Sequence, residues 1–278
     1  MPELVHCLAI ENFLAYAPSL RKQTPELAAT IHALNSTGPL VKNDSLKFDQ
    51  NTHFEFGKNW AEYSKNIDDT EINDARHELA RLLASGSLEG KTFFDIGCGS
   101  GIHSLSALLM GATSVRAIDL DPDSVSTTRS VLETRWDGDN YQVEQMNIFD
   151  TNANLFPTFD IVYSWGVLHH TGDMWGAIKK AASFVSPGGI LAIAIYRKTP
   201  LCGFWKKEKW LFTNGGPIVR GILTATYIAI KILRDIVRLK NPMKKILHYR
   251  EGTRGMHWKF DVVDWLGGYP YESASLDE

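Results

Sequence analysis

The middle of the chain alternates between short apolar runs and longer amphipathic stretches. Five apolar runs, rich in β-branched or aromatic side chains and bounded by turn residues, lie at 92–96, 114–120, 141–148, 159–165 and 190–196. Three stretches with the 3.6-residue spacing of an amphipathic helix lie between them, at 103–110, 122–136 and 175–185. Strands separated by helices of this length predict a doubly wound, mostly parallel α/β sheet.

The segments on either side of this alternation have a different pattern. Helical spacing predicts two short helices at 4–16 and 25–34 and an amphipathic helix at 72–85. After the fifth strand, a long basic stretch at 201–250 is also helical in pattern. The chain therefore divides into an N-terminal helical cap at 1–87, an α/β core at 88–197, and a basic helical insertion with an aromatic C-terminal segment at 198–278.

The composition excludes several classes of protein. Of the 278 residues, 44% are hydrophobic and 22% are charged, which provides a core that needs no disulfide or metal for stability. The cysteines Cys7, Cys98 and Cys202 are odd in number and far apart, so they predict free thiols rather than a disulfide framework or a metal site. Near the N-terminus the chain carries an acid, Glu3, where a signal peptide would carry Lys or Arg. We therefore expect a cytoplasmic protein.

The net charge of −3 is unevenly distributed along the chain. Residues 201–260 contain 13 Lys and Arg against three acids, a local net charge of +10. Such a segment attracts an anionic partner, which includes acidic small molecules, glycans, nucleic acid and an anionic membrane surface. A solvated amphipathic helix explains the same charges equally well. The most apolar stretch, 218–239, is free of charge only at 221–230, and we expect this to be too short to span a bilayer.

A glycine-rich loop follows the first strand of the core. Glycines stand at positions 97, 99 and 101, where the absence of a Cβ lets a ligand approach the backbone. Position 102 is Ile, so the loop differs from a dinucleotide fingerprint, which needs its third glycine there. Asp95 ends the strand before the loop and could hold a ligand ammonium group. Asp119 ends the next strand, where a carboxylate accepts hydrogen bonds from ribose hydroxyls. These features together describe a nucleoside that carries an amino acid.

Four runs of residues in this order resemble the motifs of the class I S-adenosylmethionine-dependent methyltransferases, and they lie at 95–101, 117–122, 159–170 and 185–189. The resemblance covers about residues 88–197 and implies S-adenosylmethionine as the cofactor. It implies that Asp95 binds the methionyl amine, that Asp119 binds the ribose, and that Leu120 lies against the adenine. The cofactor site that it implies consists of Asp95, Gly97, Cys98, Gly99, Gly101, Asp119, Leu120, Asn147, Ile148, Trp165 and Trp60.

Two of these positions carry open alternatives. Asn147 stands where relatives usually have Asp, and its amide oxygen would meet the adenine amine. Trp60 and Tyr63 resemble an aromatic segment that closes over the cofactor in many such enzymes, while packing on the outer helix layer is an equally good explanation.

The candidate catalytic and acceptor-binding residues lie later in the chain. His169 and His170 follow the fourth core strand at the carboxyl edge of the sheet, where one of them could take the proton of a hydroxyl acceptor or both could be structural. The aromatic residues Trp265, Tyr269 and Tyr271 resemble a segment of bacterial glycan-modifying methyltransferases and could stack on an acceptor, or they could fill the core. The family's two final strands, an antiparallel pair, cannot both be placed in the sequence after the fifth strand.

We therefore predict an S-adenosylmethionine-dependent methyltransferase that methylates an oxygen of a small molecule or of an anionic glycan or lipid-linked acceptor. A second hypothesis is an RNA- or tRNA-modifying methyltransferase, for which the sequence shows neither an RNA-binding module nor an Asn-Pro-Pro-Tyr-like motif. A third hypothesis is a non-catalytic, cofactor-binding protein whose long helices recruit a partner.

Overall fold

The computed structural model describes residues 4–9, 56–65, 67–151, 156–239, 241, 258–275 and 277–278. The strands are β1 (Leu4–Ala9), β2 (Thr92–Ile96), β3 (Ser114–Asp119), β4 (Tyr141–Gln145), β5 (Phe159–Trp165) and β6 (Val185–Tyr196). The α-helices of these ranges are α1 (Phe56–Ser64), α2 (Asp69–Leu82), α3 (Ile102–Leu109), α4 (Pro122–Arg135), α5 (Met174–Ala182), α6 (Cys202–Asn214), α7 (Gly216–Val237) and α8 (Trp258–Gly267). Short 3₁₀ helices lie at Ile148–Asp150 and Leu168–His170.

The strands form one sheet in the order β1-β6-β5-β2-β3-β4. Strands β2 to β6 are parallel to one another, which confirms the predicted doubly wound sheet. The order reverses direction at β2, because the chain first builds outward through β3 and β4 and then returns to the other side of β2 with β5 and β6. Open α/β sheets of this kind bind ligands at such a switch point, outside the carboxyl ends of the strands.

The N-terminal strand corrects the sequence-based expectation for this region. We predicted a helix at 4–16, and instead Leu4–Ala9 is β1, which pairs antiparallel with β6. A six-residue apolar run fits a strand or a buried helix turn equally well by periodicity, and the otherwise unpaired edge of β6 favours the strand. The antiparallel edge of the sheet therefore comes from the start of the chain. The helix predicted at 25–34 lies outside the described residues.

The core lies on both faces of the sheet, because successive side chains of a strand point to opposite faces. On β2, Phe93 packs with residues of α2, α3 and α4, such as Leu79 and Leu105, on one face. Its neighbour Phe94 packs on the other face with Phe184. Both phenylalanines are fully buried, as expected for a central parallel strand that helices cover on both sides.

The insertion after β6 is helical, as predicted, over α6 and α7, and residues 242–257 lie outside the described part. Phe212 of α6 forms a small core with Val262 and Leu266 of α8, against which Leu223 and Tyr227 of α7 pack. By length and composition alone, α7 could cross a membrane, since its most apolar 18 residues have a mean hydropathy of 1.4. The expectation that this stretch is too short for that is therefore not upheld.

Candidate active site

A cavity of about 550 Å³ lies at the carboxyl edge of the sheet. Every parallel strand contributes to its wall at or just after its last residues: Asp95 from β2, Asp119 from β3, Gln145 from β4, Trp165 from β5 and Tyr196 from β6. Helix α1 and helix α8 close two further sides of the cavity. The volume falls in the range of about 300–1,000 Å³ that is usual for small-molecule sites.

The glycine loop takes its shape from backbone conformations that favour glycine. Gly97 has φ 78° and Gly99 has φ 54°, both in the left-handed region. A Cβ on Gly97 would come within 2.4 Å of the Val167 side chain, and one on Gly99 would come within 3.2 Å of the Trp60 indole. The two glycines therefore keep the loop thin where it lines the cavity, between the end of β5 and helix α1.

The first strand-end acid is buried in the cavity wall. Asp95 is only 2% exposed, and its carboxylate accepts a hydrogen bond of 2.6 Å from Ser104 Oγ of α3. Burial raises the pKa of Asp95 to about 7, and the nearby Asp119 carboxylate adds to the rise against the effect of the Ser104 bond. A carboxylate whose ionised form is this poorly solvated gains most from a cationic ligand group. This agrees with a role in holding an ammonium group.

The second strand-end acid organises the loop beside it. Asp119 accepts hydrogen bonds from the backbone N–H groups of Gly99 at 3.0 Å and Asp121 at 2.9 Å. Burial raises the pKa of Asp119 to about 6, and the two backbone hydrogen bonds act to lower this pKa. Both carboxylates thus lie in the same cavity, one on each side of the glycine loop, as the sequence predicted.

Helix α1 is tied over this edge by a contact that the sequence reasoning missed. The Asp121 carboxylate accepts the backbone N–H of Gly57 at 2.9 Å, and it also caps α4 through the N–H of Asp123 at 2.8 Å. A Cβ on Gly57 would lie 2.3 Å from the Asp121 carboxylate, so a larger residue there would push the carboxylate away from its two hydrogen bonds. The bond fixes Trp60 in the cavity wall. An Asp before the Pro122 at the first turn of a helix signalled the cap, but no local signal pointed to Gly57.

The remaining predicted cofactor residues divide into wall residues and supporting residues. Leu120, Asn147 and Ile148 line the cavity. The amide oxygen of Asn147 already accepts the Phe149 N–H at 3.1 Å, which leaves one of its lone pairs for an adenine amine. Trp165 also lines the cavity and stacks on Tyr163, with ring centroids 6.1 Å apart.

Cys98 and Gly101 hold the loop rather than presenting a side chain to the cavity. The Cys98 backbone lies in the wall, while its buried thiol accepts the Thr128 hydroxyl at 3.2 Å. Burial raises the pKa of this thiol well above its usual value, so it stays protonated. Gly101 begins α3, and a Cβ there would lie 2.9 Å from the Thr128 Cα. Both residues therefore fix α3 and the glycine loop against α4.

The two histidines, which adjoin each other in sequence, occupy different environments. His169 is 1% exposed, its ring lies 4.0 Å from the Tyr196 ring, and neither ring nitrogen makes a hydrogen bond of normal geometry within the described part of the chain. Burial lowers the pKa of His169 well below its usual value, with smaller effects from His170 and Lys209. It is therefore neutral near pH 7 and a poor proton acceptor.

His170 is held by the C-terminal segment. Its Nδ1 lies 2.7 Å from the carbonyl oxygen of Pro270. A carbonyl can only accept, so Nδ1 carries the hydrogen and a neutral ring keeps its lone pair on Nε2. Both histidines line the cavity, and the His170 ring lies 5.7 Å from Phe56 of α1. Because burial lowers the pKa of His169 and the Pro270 carbonyl sets the tautomer of His170, His170 is the better candidate for a base.

The predicted acceptor residues are only partly brought together. Trp265 lines the cavity beside Asp264, whereas Tyr269 and Tyr271 are not part of its wall. Tyr271 is buried behind the cavity, where its ring lies 5.3 Å from that of Tyr196. The C-terminal segment thus contributes mainly through its backbone, since the Pro270 carbonyl orients His170 and helix α8 brings Trp265 to the wall.

A buried lysine supports this aromatic wall. Lys209 of α6 is fully buried, its ammonium group donates to the Trp265 carbonyl, and it lies 4.0 Å from the centroid of that indole. Burial lowers the pKa of Lys209 to about 8, although the neighbouring Glu208 and Asp264 carboxylates act to raise it. We predicted that Lys209, one of the 13 basic residues of 201–260, would attract an anionic partner. This is wrong, because its side chain has no access to solvent.

Comparison with known proteins identifies the domain. A methyltransferase-domain family profile matches residues 94–191. The chain is 35% identical over 123 residues to the ubiquinone biosynthesis O-methyltransferase of Xanthomonas campestris pv. campestris (strain B100), covering 44% of this chain and 50% of that protein. It is 35% identical over 118 residues to the ribosomal protein L11 methyltransferase of Photorhabdus laumondii subsp. laumondii, covering 40% and 36% respectively. The chain therefore spans about half, or less, of the length of these relatives.

One similar solved structure is magnesium protoporphyrin IX methyltransferase from Synechocystis PCC 6803 with bound SAH. The TM-score is 0.42 and the sequence identity is 22%, and the match covers 54% of this chain and 72% of that one. A score this low carries no functional inference. The profile match, the relatives and the glycine loop between two strand-end acids agree with one another. Residues 94–191 therefore match a methyltransferase domain, and this core is similar to the class I S-adenosylmethionine-dependent methyltransferases.

Proposed function

We propose that the protein transfers the methyl group of S-adenosylmethionine to an oxygen atom of a small-molecule acceptor. The observation that carries the proposal is the pair of poorly solvated carboxylates, Asp95 and Asp119, on either side of the glycine loop. An amino acid ammonium group and a ribose are the complementary ligand groups.

The residues of the cavity provide a partner for each part of the cofactor. Asp95 would hold the ammonium group, and Asp119 would accept hydrogen bonds from the ribose. Leu120 and Ile148 offer an apolar surface for the adenine, next to Asn147. The sulfonium of the bound cofactor supplies an electrophilic methyl group, so the protein's task is to align the acceptor and exclude water.

The acceptor end of the cavity is lined mainly by aromatic rings, together with the Asp264 carboxylate. Tyr196, Trp265 and His170 lie there, and Trp60 of α1 covers the loop side. Such a wall suits a flat, largely apolar acceptor. His170 Nε2 can take the proton of a hydroxyl as the new bond to the methyl group forms, while the Pro270 carbonyl holds the ring in the required tautomer.

The names of the relatives support oxygen as the methylated atom only indirectly. Several similar proteins from Xanthomonas are ubiquinone biosynthesis O-methyltransferases, and the similarity covers about half of each. The hypothesis of an anionic acceptor is supported by Lys206 and Lys207, which are exposed outside the cavity wall. The ribosomal protein L11 methyltransferase similarity keeps a macromolecular acceptor as the second candidate.

Methyl transfer from labelled S-adenosylmethionine to a panel of phenols, amines, carboxylic acids and bulk RNA tests the proposal. We expect labelled phenols, and we expect Asp119→Asn to lower the transfer sharply at subsaturating cofactor. Asp139→Asn, which changes an exposed acid in the loop between α4 and β4 outside the cavity wall, is the matched control and should retain the transfer. Labelled RNA or amines with unlabelled phenols would replace the proposal with its alternatives, and cofactor binding without any transfer would favour a non-catalytic protein.

A further inference from the structure

Helix α7 presents an apolar face to solvent. Its exposed positions recur with helical spacing, and they are Ile218, Ile222, Ala225, Ala229, Leu233 and Ile236, with Ile230 and Val237 beside them. The exposure is large: 79% for Ile218, 61% for Leu233 and 73% for Val237. None of the most apolar 18 residues of this helix is buried. A surface helix of a soluble domain normally shows the opposite arrangement, with its apolar stripe on the core.

The charges of α7 lie away from this face. Asp235 is buried and lies 3.7 Å from the Arg234 guanidinium, while Lys231 is half-buried with its ammonium 5.2 Å from the Tyr227 ring centroid. Arg220 donates to the carbonyls of Phe212 and Thr213 at the end of α6, at 2.9 and 2.7 Å. The protein-facing side of α7 thus carries the polar groups and is docked on its own domain.

Helix α6 adds an aromatic and basic border. Phe204, Lys207 and Leu211 are exposed and three or four residues apart, so they share one side of the helix, and Trp210 is 53% exposed next to them. Exposed tryptophan, phenylalanine and lysine beside an apolar helix face are the composition of helices that lie at a membrane interface.

We propose that α7 lies in the plane of an anionic membrane surface, with its solvent-exposed apolar face embedded and the domain resting on the headgroups. An in-plane position fits better than a spanning one, because spanning would strip Asp235 and Arg234 of the domain contacts that now cover them. An embedding depth of roughly 5–10 Å requires only the outer face, which is the one left free.

Charge favours a membrane over a second copy of the chain. The exposed charged residues of 201–239 are all basic, and they are Lys206, Lys207, Arg220 and Arg238, whereas Glu208 and Asp235 are half-buried or buried. Two copies that met face to face across α7 would bring these like charges together, which disfavours association. An anionic lipid surface is complementary, at about 1 kcal/mol per basic residue near the surface.

The position of α7 links this face to the cavity. Helix α8, which packs against α7, carries Trp265 into the cavity wall. A membrane along α7 would therefore adjoin the acceptor end of the site, and an acceptor dissolved in the lipid could reach it without crossing water. This last step rests on the proposed function, whereas membrane binding itself does not.

Sedimentation of the full chain with vesicles tests the proposal. Vesicles of phosphatidylcholine with phosphatidylglycerol should bind the protein, and pure phosphatidylcholine vesicles should bind it less. The combined variant I222Q, I230Q and L233Q should lower the partition coefficient at least tenfold, since glutamine keeps helix propensity and removes the apolar face. Leu109→Gln, an exposed leucine at the far end of α3, is the matched control and should bind as the wild type does.

Lys207→Gln should weaken binding to the anionic vesicles only, in a manner that fades at high salt. Calorimetry with S-adenosylhomocysteine should give the same affinity for every variant, which shows that the fold and the cofactor site are intact. Vesicle binding is measured without methyl transfer, so a missing acceptor cannot mimic a failure here.

Four results would overturn the proposal. Wild-type protein that ignores anionic vesicles, or a triple variant that binds them equally well, removes the membrane as the occupant of the α7 face. If the wild-type chain is dimeric without lipid, and the triple variant is monomeric but binds vesicles as before, the face belongs to a second copy. Protein that resists alkaline extraction from vesicles spans the bilayer instead of lying on it.

Discussion

Replacement of Asp95 by asparagine should stabilise the protein while it weakens cofactor binding. Burial raises the pKa of Asp95 from 3.8 to about 7. At about 1.36 kcal/mol per pKa unit, the ionised carboxylate costs the ligand-free fold roughly 4 kcal/mol above pH 7. Asparagine is neutral and can still accept the Ser104 hydroxyl, so we expect a gain of about 2–4 kcal/mol in the free energy of unfolding at pH 8.

The pH dependence gives the sign of the effect. Between about pH 4 and pH 7 the folded state keeps a proton on Asp95 that the unfolded chain has released, so wild-type stability falls as the pH rises through this window. The advantage of the Asn variant should therefore be full above pH 7 and shrink as the pH falls toward 4. Urea unfolding at several pH values measures it.

Cofactor binding should change in the opposite direction. Loss of a charged partner for the ammonium group costs about 1.5–3 kcal/mol, or roughly a tenfold to hundredfold weaker affinity for S-adenosylhomocysteine by calorimetry. Asp160→Asn is the control, because the Asp160 carboxylate accepts from the Thr92 N–H and hydroxyl at 2.9 Å and its pKa is lowered. That variant should lose stability at pH 8 and bind normally. An Asp95→Asn protein that is no more stable than wild type at pH 8 would refute the reasoning.

Three further predictions concern single residues of the site. His170→Ala should lower kcat by roughly 10²–10⁴-fold with nearly unchanged cofactor affinity. His169→Ala should chiefly lower the melting temperature, because it leaves a buried cavity. Equal losses of kcat in the two variants would argue against this difference in roles. Asp119→Ala should weaken S-adenosylhomocysteine binding by about 1–3 kcal/mol in calorimetry, and unchanged affinity would remove the ribose assignment. Gly97→Ala should lower the free energy of unfolding more than Gly166→Ala, because a Cβ on Gly97 would lie 2.4 Å from the Val167 side chain, whereas Gly166 has φ 77° but open space around it. Equal losses would show that only backbone strain matters.

The sequence by itself determined the parallel core and the cofactor half of the site. The run predicted at 92–96 coincides with β2, because a strand buried on both faces needs a continuous apolar run and the loop after it needs glycine. Asp95 and Asp119 follow from the same local rule, since a residue at the end of a parallel strand must lie at the carboxyl edge of the sheet. These features depend on spacing within a few residues, which the sequence displays directly.

Only the tertiary structure decided the features that depend on distant partners. Leu4–Ala9 is a strand because the edge of β6, nearly 190 residues later, is there to pair with it. The Pro270 carbonyl holds His170 in its tautomer, a contact that His169 lacks, and Lys209 is removed from the surface by helix α8. On α7, packing against α6 and α8 turned the side with Tyr227, Ile228 and Asp235 inward and left Ile218, Ile222 and Ile230 outside. Periodicity marks that a helix has two faces, and only the neighbouring elements determine which face is covered.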